Sequence, residues 1–306
     1  MLDAYVVTIL TLMGIWSIVT LGLNIITGYA GQFNLGIGVY MGTGAYINGM
    51  LTTAYGFGFW EALPLSAAGA GAVGLLTGLP ALRVREDSLA VLTIGLVFVF
   101  ESLLIYLPYF GGPLGISRIP RAMIGGEPLS SQSYMLVVMV ALALTIGLCL
   151  YLRRSWMGLA WECIRENELA AQVIAVNPVR FKLYAFVIGA TIAGIGGALY
   201  AHFIRFITPY DFGFIPSIYV LTMLVFGGIG TIRGAVFGAC MLTVLPEFFR
   251  FVQDYRNLIY GGALVLLMLY EPRGLLGNGS YVWTKLRSGF RMLRASRTES
   301  ERYASN

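Results

Sequence analysis

SWMGLAWECIRENELAAQVIAVN, residues 155–177, is the one long segment of this chain with the pattern of an amphipathic helix rather than a membrane span. Apolar or small residues recur at Trp156, Leu159, Ala160, Cys163, Ile164, Ala170, Ala171 and Ile174, a single stripe at helical spacing. Glu162, Arg165, Glu166 and Glu168 fall largely off that stripe. Ser155 reads as an N-cap, and Asn177-Pro178 as a stop, because proline disfavours helical geometry in the residue before it. One continuous helix over 155–177 is therefore expected. Its apolar face would lie either in the headgroups or against a partner protein outside the bilayer.

The rest of the chain explains why such a helix is conspicuous. Of 306 residues, 58% are hydrophobic and only 11% are charged. A soluble domain carries about 25% charged residues, so this chain lacks the polar side chains to cover a water-facing surface. The composition implies an all-α, polytopic membrane bundle, since lipid leaves backbone groups no partners except their own helix. Apolar runs of about 20 residues fall at 5–26, 34–54, 59–79, 88–107, 133–152, 183–203 and 257–272. The first has no basic region before it and is too long for the core of a signal peptide, so it reads as a retained span.

Charge then sets the topology. Arg153, Arg154, Arg165, Arg180 and Lys182 flank or occupy the quoted stretch, and Arg273, Lys285, Arg287, Arg291, Arg294, Arg297 and Arg302 crowd the end. The positive-inside rule puts both regions in the cytoplasm, together with Arg83 and Arg85. Such basic loops suit anionic membrane lipid and give no ground for nucleic-acid binding. Residues 1–276 read as the membrane domain, with 153–182 as its cytoplasmic loop and 277–306 as a basic tail. Residues 215–248 cannot then be one simple pass. They are broken at Gly227-Gly228-Ile229-Gly230 and Arg233-Gly234, as a re-entrant hairpin or as two short helices meeting at the glycines, for a total of 8–10 membrane segments. A second glycine-rich break lies at 27–36, and Gly38/Gly42 and Gly234/Gly238 follow the two breaks as similar rows, as in an internal repeat. Gly74/Gly78 and Gly189/Ala193/Gly197 read as contacts within the bundle.

Residues for chemistry are few. His202 is the lone histidine, and the three cysteines, Cys149, Cys163 and Cys240, form neither a pair nor a metal-ligand cluster. No catalytic site, metal or cofactor is expected, and no phosphate-binding glycine loop is present, so the energy for any transport comes from a partner or a gradient. Glu101 is the one carboxylate well inside a span, either a functional group or the partner of a loop arginine.

The ordered segments match a family. They include Asn24, Gly28-Tyr29-Ala30-Gly31-Gln32, Leu35-Gly36, Leu82-Arg83-Val84-Arg85, Ile164-Arg165-Glu166-Asn167-Glu168, Ala170-Ala171, Gly227-Gly228-Ile229-Gly230-Thr231 and Pro272-Arg273-Gly274-Leu275. This set resembles the permease subunits of branched-chain amino acid ABC transporters, in particular the LivM-type member of the pair. The resemblance implies a bacterial inner-membrane importer with two ATPase subunits, a second homologous permease and a periplasmic substrate-binding protein. It gives the loop the role of docking on an ATPase, through Gly158, Ile164, Arg165, Glu166, Asn167, Ala170 and Ala171. Gln32, Asn34, Tyr40, Glu101, Gly227, Gly228 and Gly230 are the expected pathway residues. The family often has Ser-Leu-Gly-His-Ala where this chain has Asn34-Leu35-Gly36-Ile37-Gly38, so the solute could differ. Permeases for urea or short amides share the architecture, and a stand-alone ion-coupled carrier working through Glu101 is the rival of another class.

Overall fold

A computed structural model describes residues 4–82, 86–124, 127–248, 262 and 275–276. Ten α-helices account for nearly all of it. They are α1 (Ala4–Leu23), α2 (Ile37–Thr53), α3 (Phe59–Ala81), α4 (Glu86–Tyr106), α5 (Ser131–Arg154), α6 (Trp156–Glu166), α7 (Glu168–Val173), α8 (Pro178–Ile204), α9 (Phe214–Gly227) and α10 (Ile232–Phe248). Six spans are long and apolar enough to cross a membrane, and the chain is a multi-pass membrane protein. Two shorter helices, α2 and α10, join them. The expected span at 257–272, the arginines Arg83 and Arg85, and the tail at 277–306 lie outside the described residues.

Helix α8 is the centre of the bundle, and small residues put it there. A methyl group on Gly44 of α2 would strike the backbone of Gly194, and one on Gly197 would strike the carbonyl of Met41. On its other sides α8 meets α1, where a Cβ on Gly189 would lie 2.6 Å from the Gly22 carbonyl oxygen, and α3, where one on Gly74 would lie 2.8 Å from that of Phe186. Helix backbones thus touch directly, which dispersion favours in a bilayer where no hydrophobic force drives helices together. The small-residue rows are contacts within the bundle, as their spacing implies.

The bundle has two ends. At one lie the loop helices α6 and α7, the end of α1 and the start of α8. There Tyr29 stacks on Trp161 with ring centroids 6.3 Å apart, and the Trp161 indole N–H donates to the Phe181 carbonyl at 2.7 Å. At the other, β1 (Ile116–Ser117) pairs antiparallel with β4 (Phe206–Ile207), and β2 (Met123–Ile124) with β3 (Glu127–Pro128). His202 is part of this second end, its ring nitrogens 2.9 Å from the Pro120 carbonyl oxygen and 2.6 Å from Asn48 Oδ1. It is a structural tie between α8, α2 and the connecting loop.

Three expectations change. The run at 34–54 is helical only from Ile37, and 17 residues make α2 about 26 Å long. Residues 30–36 are irregular and turn into α2 through Asn34, whose Oδ1 accepts from Gly36 N–H at 2.6 Å. The single helix expected over 155–177 is two, broken at Asn167, which is extended (φ −160°, ψ 111°). Asn167 Oδ1 accepts from the N–H groups of Leu169 and Ala170, so a residue read as mid-helix is the N-cap of α7. Ser155 does occupy the N-cap position of α6, but its hydroxyl makes no cap bond and donates backwards to the Leu152 carbonyl. Asn177, read as a stop, is the N-cap of α8, with Pro178 in the first turn where the missing N–H costs nothing.

The segment 215–248 is two short helices meeting at the glycines. Helices α9 and α10 run antiparallel, with Gly227 against Gly234 and Met223 against Gly238 in direct backbone contact. The tip, Gly228–Thr231, lies at the α6–α7 end. Leu275 and Leu276 return to this tip, and their N–H groups donate to the Phe226 and Gly227 carbonyls at 3.1 and 2.9 Å. Those are carbonyls that the end of α9 leaves without helical partners.

Candidate functional site

The site is built where two breaks and one loop helix meet. Helix α1 does not end at Leu23 but widens into a π-helical turn, Asn24–Tyr29, a geometry that recurs at functional sites. Asn24 Oδ1 accepts the Gly230 N–H at 2.8 Å, so the side chain in the π-turn holds the tip of the α9–α10 hairpin. A Cβ on Gly28 would lie 2.7 Å from the Gly230 nitrogen, and Gly230 itself has φ +80°, a conformation suited to glycine. The two glycine-rich breaks, far apart in sequence, are in contact.

Arg165 ties them to the loop. It reaches up from α6, and its Nη1 donates to the Gly28 carbonyl at 2.7 Å. A Cβ on Gly230 would come 2.7 Å from the same nitrogen, and one on Gly31, which has φ +71°, 3.3 Å from the arginine Cγ. One guanidinium thus fills the space between both breaks, and only glycine leaves room for it. The Gly28 carbonyl needs such a donor, because the π-turn ends the helix there.

The other loop residues divide between two faces. Ala160, Trp161, Ile164, Ala171 and Val176 turn inward and are buried. Gly158 abuts the end of α5, where a Cβ would come 2.6 Å from the Leu152 carbonyl oxygen. Glu168 pairs with Lys182 at 2.7 Å and fixes α7 on α8. Outward point Trp156 (68% exposed), Leu159, Leu169, Val173 (87%) and Ile174, together with Glu162, Glu166 and Ala170. Half of the expected stripe is therefore core, and the other half, joined by Leu169 and Val173, is an exposed apolar surface. Contiguous exposed apolar patches on proteins commonly belong to interaction or membrane-contact sites.

The expected pathway residues do not converge on one point. Asn34 and Tyr40 are fully buried; Asn34 Nδ2 donates to the Tyr40 hydroxyl at 3.4 Å, and that hydroxyl is 2.8 Å from Thr77 Oγ1. They join α2 to α3. Gln32 is buried between them and the π-turn, with its Nε2 unpartnered. Gly227, Gly228 and Gly230 form the hairpin tip. Glu101 is elsewhere: a Cβ on Gly213, the N-cap of α9, would lie 2.9 Å from its Oε2. A carboxylate beside a helix N-terminus is electrostatically favoured there, and among the described residues no ion pair joins Glu101 to an arginine. Asn24, Thr27, Tyr29 and Trp161 belong to this joint but are not among the expected site residues, although Asn24 and Tyr29 lie in the matching segments and Thr27 in the glycine-rich break. An asparagine inside an apolar run was the available signal for the first of them.

The chain has known relatives. Residues 5–269 match the family described as branched-chain amino acid transport system, permease component. The chain is 37% identical to the high-affinity branched-chain amino acid transport system permease protein LivM of Escherichia coli, over 88% of this chain and 69% of that protein. It is 26% identical to the permease protein BraD of Pseudomonas aeruginosa, over 88% and 93%, and 25% identical to LivH of Escherichia coli, over 87% and 92%. No solved structure matches it. A match over most of the chain, to a family of transport permeases without enzymatic activity of their own, is decisive: the chain belongs to the branched-chain amino acid transport system permease family, as an ABC importer permease.

Proposed function

We propose that this chain forms one half of the pore of an importer for branched-chain or similar small hydrophobic amino acids in a bacterial inner membrane. The α6–α7 end is the cytoplasmic one, a reading that the basic residues of 153–182 support. Two ATPase subunits bind there, a second permease completes the pore, and a periplasmic binding protein delivers solute to the opposite end. The observation that carries this reading is the pairing of an exposed apolar face on α6 and α7 with Arg165, which leaves the same helix to hold both membrane breaks. The face fits a groove on a partner, with Glu166 at its edge for a charge-assisted contact. Movement of α6 then moves Gly28 and Gly230 together, so closure of an ATPase pair is delivered to α1 and to the α9–α10 hairpin.

An ion-coupled carrier acting through Glu101 has less support, since the start of α9 already accounts for that carboxylate, and the relatives are subunits of transport systems. The test has two arms. Tagged protein drawn from native membranes is expected to bring two ATPase chains and a second permease with it. Arg165→Ala and Glu166→Ala are expected to insert normally but to lose ATP-driven uptake, Arg165→Ala most. Recovery of the chain alone, still transporting without ATP, would sink the importer reading.

A further inference from the structure

Most buried serine and threonine hydroxyls in this bundle follow one habit. Thr11, Ser17, Thr20, Thr43, Ser66, Thr145, Ser217 and Thr222 each donate to the carbonyl four residues back, which hides the polar atom from lipid. Thr77, Thr93 and Thr231 differ only in reaching the carbonyl three residues back. Thr27 does neither. It sits in the π-turn, and its Oγ1 is buried with no partner. Nor is it alone. Of six buried side-chain polar atoms without a partner among the described residues, four belong to Asn24, Thr27, Tyr29 and Gln32, all within nine residues of chain. Each of these residues is more than nine-tenths buried. Orphaned polar groups in a membrane interior are expensive, and a concentration of them needs a compensating partner.

We propose that this break is a polar gate on the solute's exit route: Asn24, Thr27, Tyr29 and Gln32 supply hydrogen bonds to the charged end of a passing amino acid, or to the water that accompanies it, and Arg165 is the latch that keeps the gate shut. The inference rests on the importer reading. The latch is the Arg165 bond to the Gly28 carbonyl, which pins the π-turn against Gly230. In the latched state the four groups are buried and have no partner in the protein. When α6 draws Arg165 away, the turn is released from the hairpin tip and the groups meet polar matter. A cost borne in the closed state thus lowers the barrier to opening and to accepting a zwitterion from a dry pathway.

The experiment uses the complete transporter in vesicles, with Cys149, Cys163 and Cys240 replaced by serine and Thr27→Cys introduced. A charged methanethiosulfonate is added on the ATPase side. Labelling is expected to rise roughly tenfold or more when ATP and loaded binding protein are added, as a minor open state becomes a major one. Arg165→Lys in the same background is expected to raise labelling without ATP. Thr222→Cys, at a buried hydroxyl that has its partner, is expected to stay unreactive throughout; reaction there at the same rate would mean general loosening and overturn the gate. Should Thr27→Cys fail to assemble, Gln32→Cys gives the same reading. A saturating branched-chain amino acid that slows the labelling identifies solute as the occupant, and unchanged labelling identifies water. Failure of both cysteines to react in any state, while uptake still runs on ATP, overturns the gate and leaves the importer reading intact. Uptake indifferent to ATP defeats the importer reading itself.

Discussion

At the level of single residues, the strongest constraints come from atoms that are missing. Gly44 has no side chain because the Gly194 backbone occupies that volume, and any Cβ drives α2 away from α8. Gly44→Val is expected to lower stability by about 1–3 kcal/mol or more, as overpacking of a close contact does. The check is a thermal melt of the purified protein in detergent, with Gly95→Val on α4, where a Cβ meets nothing within 4 Å, as the control. The small-residue rows were legible in the sequence because only tight helix crossings select such spacing. The role of Arg165 was legible in part: its place in a docking stretch followed from family resemblance, but its contact with Gly28 and Gly230 depends on three segments meeting in space. No local pattern encodes that.

Among elements, α6 and α7 show where pattern reading succeeds and where it fails. Apolar spacing identified an amphipathic loop element correctly, yet the same stripe resumes at Ala170 and Ala171 after the polar pair Asn167 and Glu168, and so hid a break. Asparagine carries little weight against helical periodicity until its side chain is seen capping the next two N–H groups. Trp161 lay off the expected stripe and is nonetheless fully buried, because its indole reaches the Phe181 carbonyl across the loop. Asn167→Ala is expected to cost about 1 kcal/mol locally and to fray α7, turning Leu169 and Val173 away from a shared surface. Weaker co-purification of the ATPase subunits, with an unchanged melting temperature for the membrane bundle, is the predicted outcome; Asn167→Asp, which keeps the cap, is expected to restore binding. The hairpin of α9 and α10 was the easier case, since topology forbade one pass and four glycines marked the turn.

Across the whole molecule, the described helices give an all-α bundle in which five of the apolar runs are long spans, the run at 34–54 is shortened to α2, and the sixth long span, Pro209–Gly227, comes from the start of the broken segment. What the runs could not show is which helices touch. Helix α1 packs on α8, α5 and α10, all later in the chain. The hairpin tip depends on residues later still, the N–H groups of Leu275 and Leu276. Leu276→Pro removes one of those donors and leaves the Gly227 carbonyl short of a partner, a loss of about 1–3 kcal/mol for a buried group. Faster proteolysis at the 228–231 tip, without loss of membrane insertion, is the expected result.

That late bond also bears on how the protein is made. A ribosome feeding this chain into a membrane delivers α1 first, yet the surfaces that cover α1 emerge only with α5, α8 and α10, and the hairpin tip is closed only when residue 276 has left the exit tunnel. Until the hairpin itself emerges, Asn24 lacks its Gly230 partner, and until residue 276 emerges the Gly227 carbonyl lacks its own. The joint that would transmit the power stroke in the finished transporter is therefore assembled late, after α5, α8 and α10 have been made.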